Sequence, residues 1–246
     1  MISLTGFSRS ALSTSFYIKE WETLLDCGPL ASLFGINARF LLISHYHPDH
    51  ISGFTSLLHL KACRDKIYPI EVYAPSNTIP YLENFYAFLP PSALPYPKVN
   101  FHPINQCSFS LSKELTVIPF PTIHRSESTG FLLQLNGKPI LAYTSDTRPE
   151  VLEKIPILAS TSYILIESTY IEPEKLERAQ KYGHTTLVEL SKFSEKFKGE
   201  KILLHHFQES YTTQEIWEAI QKLKFPFLFQ PVFFDFLNLT ERRIIL

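Results

Sequence analysis

Cysteine is scarce in this chain: three residues among 246, Cys27, Cys63 and Cys107, far apart and without a Cys-x-x-Cys pair. That excludes a disulfide framework and a structural zinc finger, and it fits a reducing compartment. Charge imbalance is lacking too. With 23 Lys and Arg against 24 Asp and Glu, the net of −1 excludes a globally basic nucleic-acid binder while leaving room for a local basic patch. No apolar run reaches the length of a membrane span, and Arg9, Lys19 and Glu20 interrupt the first twenty residues, where a signal peptide would need an apolar core. The expectation is a cytoplasmic protein with no membrane contact. What remains is a chain 45% hydrophobic and 19% charged, which suits one large domain over residues 1–246 with a substantial core.

Against this background one stretch stands out. Ser44 to Gly53 reads Ser-His-Tyr-His-Pro-Asp-His-Ile-Ser-Gly and gathers His45, His47, Asp49 and His50 into six positions. The apolar run Phe40–Ile43 before it predicts a buried strand, and Ile51 to Arg64 after it repeats apolar residues at helical spacing. On such a strand-to-helix turn His45 and His47 point one way off extended backbone, while Asp49 and His50 take the corner. Imidazole nitrogens with one carboxylate suit zinc, and manganese or iron where availability decides.

The flanking pattern predicts an N-terminal meander of strands over Ile2–Phe7, Ser15–Lys19 and Thr23–Asp26, followed by a strand at Ile70–Ala74 and a helix at Asn77–Phe88. Leu89 to Lys98, with four prolines, reads as a stiff connector. Strands are expected at Val99–Ile104 and Leu115–Pro119, and a hairpin at Phe131–Tyr143 turning on Asn136-Gly137. The second half changes to alternating elements: helices at Glu150–Leu158, Pro173–Tyr182, Thr185–Phe197 and Thr213–Lys224, with strands at Tyr163–Glu167 and Lys201–Phe207. Six phenylalanines, Phe225, Phe227, Phe229, Phe233, Phe234 and Phe236, crowd the C-terminal region, and their alternation from Phe225 to Phe229 predicts a strand with one buried face. Core packing is the first reading of these rings, a dimer interface the second and membrane contact the third. A meander followed by mixed elements, with donors on edge loops, argues for an α+β fold built as a four-layer αβ/βα sandwich.

At this point the chain resembles the metallo-β-lactamase fold, and within it RNase Z, the transfer-RNA 3′-end endonuclease. The resemblance rests on Leu24-Leu25-Asp26-Cys27-Gly28, on the Ser44 to Gly53 loop, on His124 followed by Ser128-Thr129-Gly130-Phe131, and on Ser145-Asp146-Thr147. It continues through Glu167-Ser168-Thr169-Tyr170, Gly183-His184-Thr185-Thr186 and Leu203-Leu204-His205-His206-Phe207. It implies two divalent ions, Zn²⁺ or alternatively Mn²⁺: one held by His45, His47 and His124, the other by Asp49, His50 and His206, with Asp146 bridging. It also implies that a hydroxide shared by the ions attacks phosphorus, with Asp49 and His184 as the catalytic residues and His184 as proton donor to the leaving ribose oxygen. Of the adjacent pair, His206 takes the ligand role because the family's strand has threonine where His205 stands. Asp26 either supports the metal loop from behind or caps a turn, Glu167 either orients His184 or ends a strand, and His205 is a packed neighbour.

Two departures bear on substrate. RNase Z enzymes commonly carry a protruding arm between the metal loop and the third ligand, whereas this interval holds only the Pro-rich connector. A Ser-x-Arg-Tyr stretch usual after the last ligand is here Gln208-Glu209-Ser210-Tyr211. The first expectation is therefore a metal-dependent phosphodiesterase acting on RNA, with precursor transfer RNA as partner and Lys61, Arg64, Lys66, Arg125 and Arg148 as candidate phosphate contacts. The alternative keeps the metals and takes a cyclic nucleotide or cyclic sugar phosphate. An assembly protein with a vestigial site is a third reading. By resemblance the protein is expected to be a homodimer.

Overall fold

The computed structural model describes residues 2–90, 95–232 and 244–245, which divide into two compact units. The first takes the residues up to Asn105 together with the terminal strand Ile244–Ile245. Its opening is the expected meander: β1 (Ser3–Arg9), β2 (Ser13–Ile18) and β3 (Thr23–Leu25) pair antiparallel, with the terminal strand on the free edge of β1. The strands β4 (Phe40–Leu42), β5 (Ile70–Pro75) and β6 (Val99–Ile104) then join in parallel, giving a seven-stranded sheet.

Parallel neighbours cannot be joined by tight turns, so crossovers intervene: α1 (Ala31–Phe34), then α2 (Pro48–Ile51) with α3 (Phe54–Cys63), then α4 (Ile79–Ala87). Ala31, Phe54, Leu57, Leu58 and Leu82 of these helices pack on Leu24, Leu41, Ile70, Val72 and Ala74. The alternate strand residues Phe16, Ile18, Leu25 and Leu42 are fully buried as well, so both faces of the central strands are apolar.

The single helix expected over 51–64 is broken at Ser52-Gly53. Backbone packing is the cause. The Gly53 N–H donates to the Cys27 carbonyl at 2.9 Å, and a Cβ on Gly53 would lie 1.9 Å from the Gly28 carbonyl oxygen. Lys61 is corrected as a phosphate contact: its ammonium is buried, donating to the carbonyls of Ile36 at 2.8 Å and Ala38 at 2.7 Å over the Tyr68 ring. Burial, reinforced by the nearby Lys66 charge, pushes its pKa down to about 8. Residues 91–94 of the Pro-rich connector lie outside the described residues, and the segments on either side of them carry no helix or strand.

The second unit begins at Gln106 and also holds a seven-stranded sheet. Here β7 (Phe109–Ser110), β8 (Leu115–Pro121), β9 (Thr129–Leu135) and β10 (Lys138–Tyr143) run antiparallel, and β11 (Tyr163–Glu167), β12 (Lys201–His205) and β13 (Phe229–Pro231) follow β10 in parallel. The β9–β10 hairpin turns where expected, with Asn136 and Gly137 at φ of 51° and 77°. The crossovers use α5 (Val151–Lys154), α6 (Leu176–Tyr182), α7 (Leu187–Ser194) and α8 (Thr213–Gln221). Leu152, Leu187, Leu190, Phe193, Ile216 and Ile220 cover Ala142, Ile164, Ile166, Ile202 and Leu204 of the sheet.

Local chemistry sets the boundaries of these helices. Pro156, which has no N–H and crowds the preceding turn, ends α5 and opens a 3₁₀ segment, so the helix expected over 150–158 is two short pieces. Reciprocal capping boxes, Thr186 with Glu189 and Thr212 with Glu215, start α7 and α8. Gly183, at φ 76°, ends α6. The strand expected over Phe225–Phe229 is corrected: Pro226–Leu228 forms a 3₁₀ turn and only Phe229 enters β13. Phe229 is buried whereas Phe227 is 67% exposed; Phe233, Phe234 and Phe236 lie outside the described residues.

Candidate metal centre

Each unit carries its donors beyond the carboxyl ends of its parallel strands, where backbone amides and loops are free to shape a site. In the first unit the chain leaves β4 into Ser44–His47 and enters α2 at Pro48, so Asp49 and His50 lie in the first helical turn. The His45 Nε2 and His47 Nδ1 atoms face each other at 2.9 Å, and the His45 and His50 rings are 4.2 Å apart. The Asp49 Oδ2 is 3.6 Å from His50 Nε2 and accepts from the Ala11 N–H at 3.0 Å. The structure thus brings His45, His47, Asp49 and His50 to one corner.

Asp26 stands behind them, fully buried, at the end of β3 with φ 55°. It accepts from the Ser44 N–H at 2.7 Å, from the Ser44 hydroxyl at 2.8 Å and from His50 Nδ1 at 2.7 Å. The same Ser44 hydroxyl is 2.9 Å from His45 Nδ1. One carboxylate and one hydroxyl therefore hold two imidazoles by their Nδ1 atoms and turn both Nε2 atoms outward. Cys27, next to Asp26, is buried in the core, and burial pushes its thiol up, away from reactivity.

In the second unit Asp146 follows β10, Glu167 ends β11, and His206 follows β12 at φ 59°. The two Asp146 oxygens address different rings: Oδ1 is 3.3 Å from His206 Nε2, and Oδ2 is 4.0 Å from His124 Nε2. One ligand atom from each of Asp146, His184 and His206 lies within 4.8 Å of the others. His124 Nδ1 is held by the Gly183 carbonyl at 3.1 Å, and His206 Nδ1 by the Thr169 hydroxyl at 3.1 Å. Burial holds the His124 imidazole below its ordinary pKa against the pull of Asp146, so it is neutral at neutral pH, the form a cation requires.

Glu167, fully buried, accepts from His184 Nδ1 at 2.9 Å and from the Thr147 N–H at 3.0 Å with one oxygen. With the other it accepts from the Thr169 N–H at 3.1 Å and hydroxyl at 2.7 Å. His205 lies against Tyr143, with ring centroids 5.5 Å apart, and its ring is nearly perpendicular to that of His206. Arg148 is corrected as a phosphate contact. Its guanidinium is buried, donates to the His184 carbonyl at 2.6 Å and pairs with Glu189, bracing the loop that carries His184.

The donors fit divalent cations by a test internal to the chain: His45, His50, His124 and His206 are each held at Nδ1 by a protein group, the arrangement that orients imidazole ligands. Reading the sequence missed the parts of Ser44, Thr147 and Thr169. Ser44 and Thr169 sit one and two residues from a donor or its carboxylate, and that adjacency was the available signal.

Comparison with known proteins gives the family and the fold. The sequence model of the Beta-lactamase superfamily domain matches residues 29–207. A tRNase Z of Arabidopsis thaliana is 28% identical, with 78% of this chain and 80% of that protein aligned. The metallo-beta-lactamase fold protein YhfI from Bacillus subtilis superposes with a TM-score of 0.75 at 15% identity, covering 96% of this chain and 97% of its own. A diphosphatase from the PhnP family gives 0.73 at 16% identity, covering 100% and 98%. The α+β sandwich expected from the element order is thus the metallo-β-lactamase fold.

Proposed function

The chain belongs to the Beta-lactamase superfamily, and from that premise we propose that it is a metal-dependent phosphodiesterase of RNase Z type that cleaves RNA, precursor transfer RNA being the substrate to test first. The family match runs from the first unit into the second, which supports the reading of residues 1–246 as one domain. His45, His47 and His124 would hold one ion, Asp49, His50 and His206 the other, and Asp146 both. The preferred ion is Zn²⁺ and the alternative Mn²⁺, given nitrogen-rich donors with two carboxylates. When bound, such a pair lowers the pKa of water and neutralises charge on the phosphoryl oxygens.

The chain's own residues do the rest. Asp26 and Ser44 orient His50 and His45, and Thr169, itself held by Glu167, orients His206. His184, anchored at Nδ1 by the Glu167 carboxylate, would give a proton from Nε2 to the departing ribose oxygen. The observation that carries this reading is the Nδ1 anchoring of four imidazoles together with a fifth, His184, anchored to a carboxylate. Three free cysteines support a cytoplasmic setting, and no helix among the described residues is long and apolar enough to cross a membrane. Resemblance to RNase Z supports a homodimer.

A second reading, a small cyclic or diester phosphate as substrate, is favoured by the net charge of −1 and by the likeness to the PhnP-family diphosphatase. Metal analysis with activity on precursor transfer RNA and on a bis-aryl phosphodiester separates the two. The wild type should carry roughly two ions per chain. Asp49→Ala should lose metal and activity together, and His184→Ala should keep metal while losing ~10²- to 10⁴-fold in kcat, most with poor leaving groups. Hydrolysis of the diester without any RNA cleavage would replace the first reading by the second, and a metal-free wild type would end both.

A further inference from the structure

Three cations surround one ring. The guanidinium of Arg125 lies 5.6 Å from the Tyr182 ring centroid, that of Arg178 lies 5.5 Å away, and the Lys181 ammonium lies 5.5 Å away. All three side chains are exposed. Among the described residues none of them pairs with a carboxylate, although Glu127, Glu174 and Glu177 are close in sequence. Like charges gathered in this way repel. The negative face of the tyrosine ring offsets part of that repulsion, and an anion would offset the rest.

The cluster is next to the chemistry. Tyr182 and Arg125 are the immediate chain neighbours of Gly183 and His124, which are joined by the bond from His124 Nδ1 to the Gly183 carbonyl. A Cβ on Gly183 would lie 3.1 Å from the Arg125 backbone nitrogen and 3.1 Å from the His124 Cα, so the two backbone segments run closely against each other. Helix α6 and the loop after β8 therefore place a triple positive charge next to the His124–Gly183 contact, one residue from His184 in the chain.

Resting on the RNA reading above, we infer that Arg125, Arg178, Lys181 and Tyr182 form a docking patch for the phosphate backbone of the RNA next to the cleaved bond. A cationic surface built around an aromatic ring is how proteins follow single-stranded nucleic acid without reading its sequence. The patch supplies locally the positive charge that the chain, with a net of −1, lacks globally.

The test is the substrate preference of metal-loaded protein over a salt series. In Arg125→Gln/Arg178→Gln/Lys181→Gln the ratio of kcat/KM for precursor transfer RNA to that for the bis-aryl diester should fall at least tenfold. The slope of log KM against log salt should flatten by about two, since each single-stranded phosphate contact contributes ~0.7. Each single Gln variant should remove about a third of that change, and Arg125→Lys/Arg178→Lys, which keeps the charges, should retain the wild-type slope. An unchanged ratio and slope overturns the patch, as does a parallel loss on both substrates, which would mark the cluster as structural. If the wild type cleaves the diester but no RNA, the function reading has failed separately. The patch is then judged by fluorescence anisotropy with end-labelled RNA, where equal Kd for wild type and triple variant overturns it.

Discussion

Glu167 shows how much one buried carboxylate can organise. Its four acceptor contacts reach His184 directly and His206 through Thr169, so the proposed proton donor and the proposed last ligand depend on the same group. In Glu167→Gln an amide N–H₂ must face N–H or O–H donors at one of these oxygens. The expected result is a ~10- to 100-fold loss of kcat or metal affinity, measured by turnover and by metal titration. If both stay at wild-type values, Glu167 merely terminates β11. A second buried charge makes a different prediction. Lys61 holds its proton less tightly when folded, its pKa being about 8 against an ordinary 10.5. Between those two pH values the unfolded chain binds the extra proton, so stability rises with pH across that window and the cost of burying the charge is relieved. Denaturation of wild type and Lys61→Met from pH 8 to 10.5 should show the wild type gaining relative to the variant; a constant difference would refute the assignment.

At the scale of elements, the site depends on two glycines more than on any helix propensity. Gly28 and Gly53 let the end of β3 lie against the α2–α3 junction: Cys27 N–H donates to the His50 carbonyl at 2.6 Å, and a Cβ on Gly28 would be 2.2 Å from the Asp49 carbonyl. A methyl at either position pushes the donor-bearing turn away from Asp26. Gly53→Ala should therefore cost ~1–3 kcal/mol or more in chemical denaturation, as overpacking of backbone does, and should lower metal content in parallel. Full metal content with wild-type stability would show that the junction can yield. Periodicity in the sequence predicts one helix across Gly53 because it registers which residues are apolar and not how closely two backbones approach. The strand expected at Phe225–Phe229 fails for a similar reason: alternation of aromatics is real, but Pro226 withholds the N–H that a ladder needs.

For the whole molecule, ions that bind the folded chain and not the unfolded one stabilise it by mass action. At a hundredfold excess over Kd the gain is ~2.7 kcal/mol, or roughly 5–10 °C in Tm for a chain of this size. Melting wild type with zinc and with excess chelator should show that difference, and Asp49→Ala should not. Equal melting in all cases would remove metal from the account. Sedimentation at micromolar concentration tests the proposed homodimer, for which a monomer is the refuting result.

The linear order of residues was sufficient for most strands of both sheets, the Asn136-Gly137 turn and the donor types, because spacing within a few residues controls backbone period and ligand chemistry; the two-residue strands β7 and Ile244–Ile245 are too short to leave a pattern, and β13 lies further along the chain than the aromatic alternation indicated. It was silent on other matters. Which nitrogen of each imidazole is anchored, that Asp26 reaches His50 across 24 residues, that His205 meets Tyr143, and that Lys61 and Arg148 are buried braces all depend on residues distant along the chain. Side-chain identity sets what a group can donate or accept. Which partner it meets is settled by packing, which brings together residues from separate strands and excludes the water that would otherwise take the partner's place.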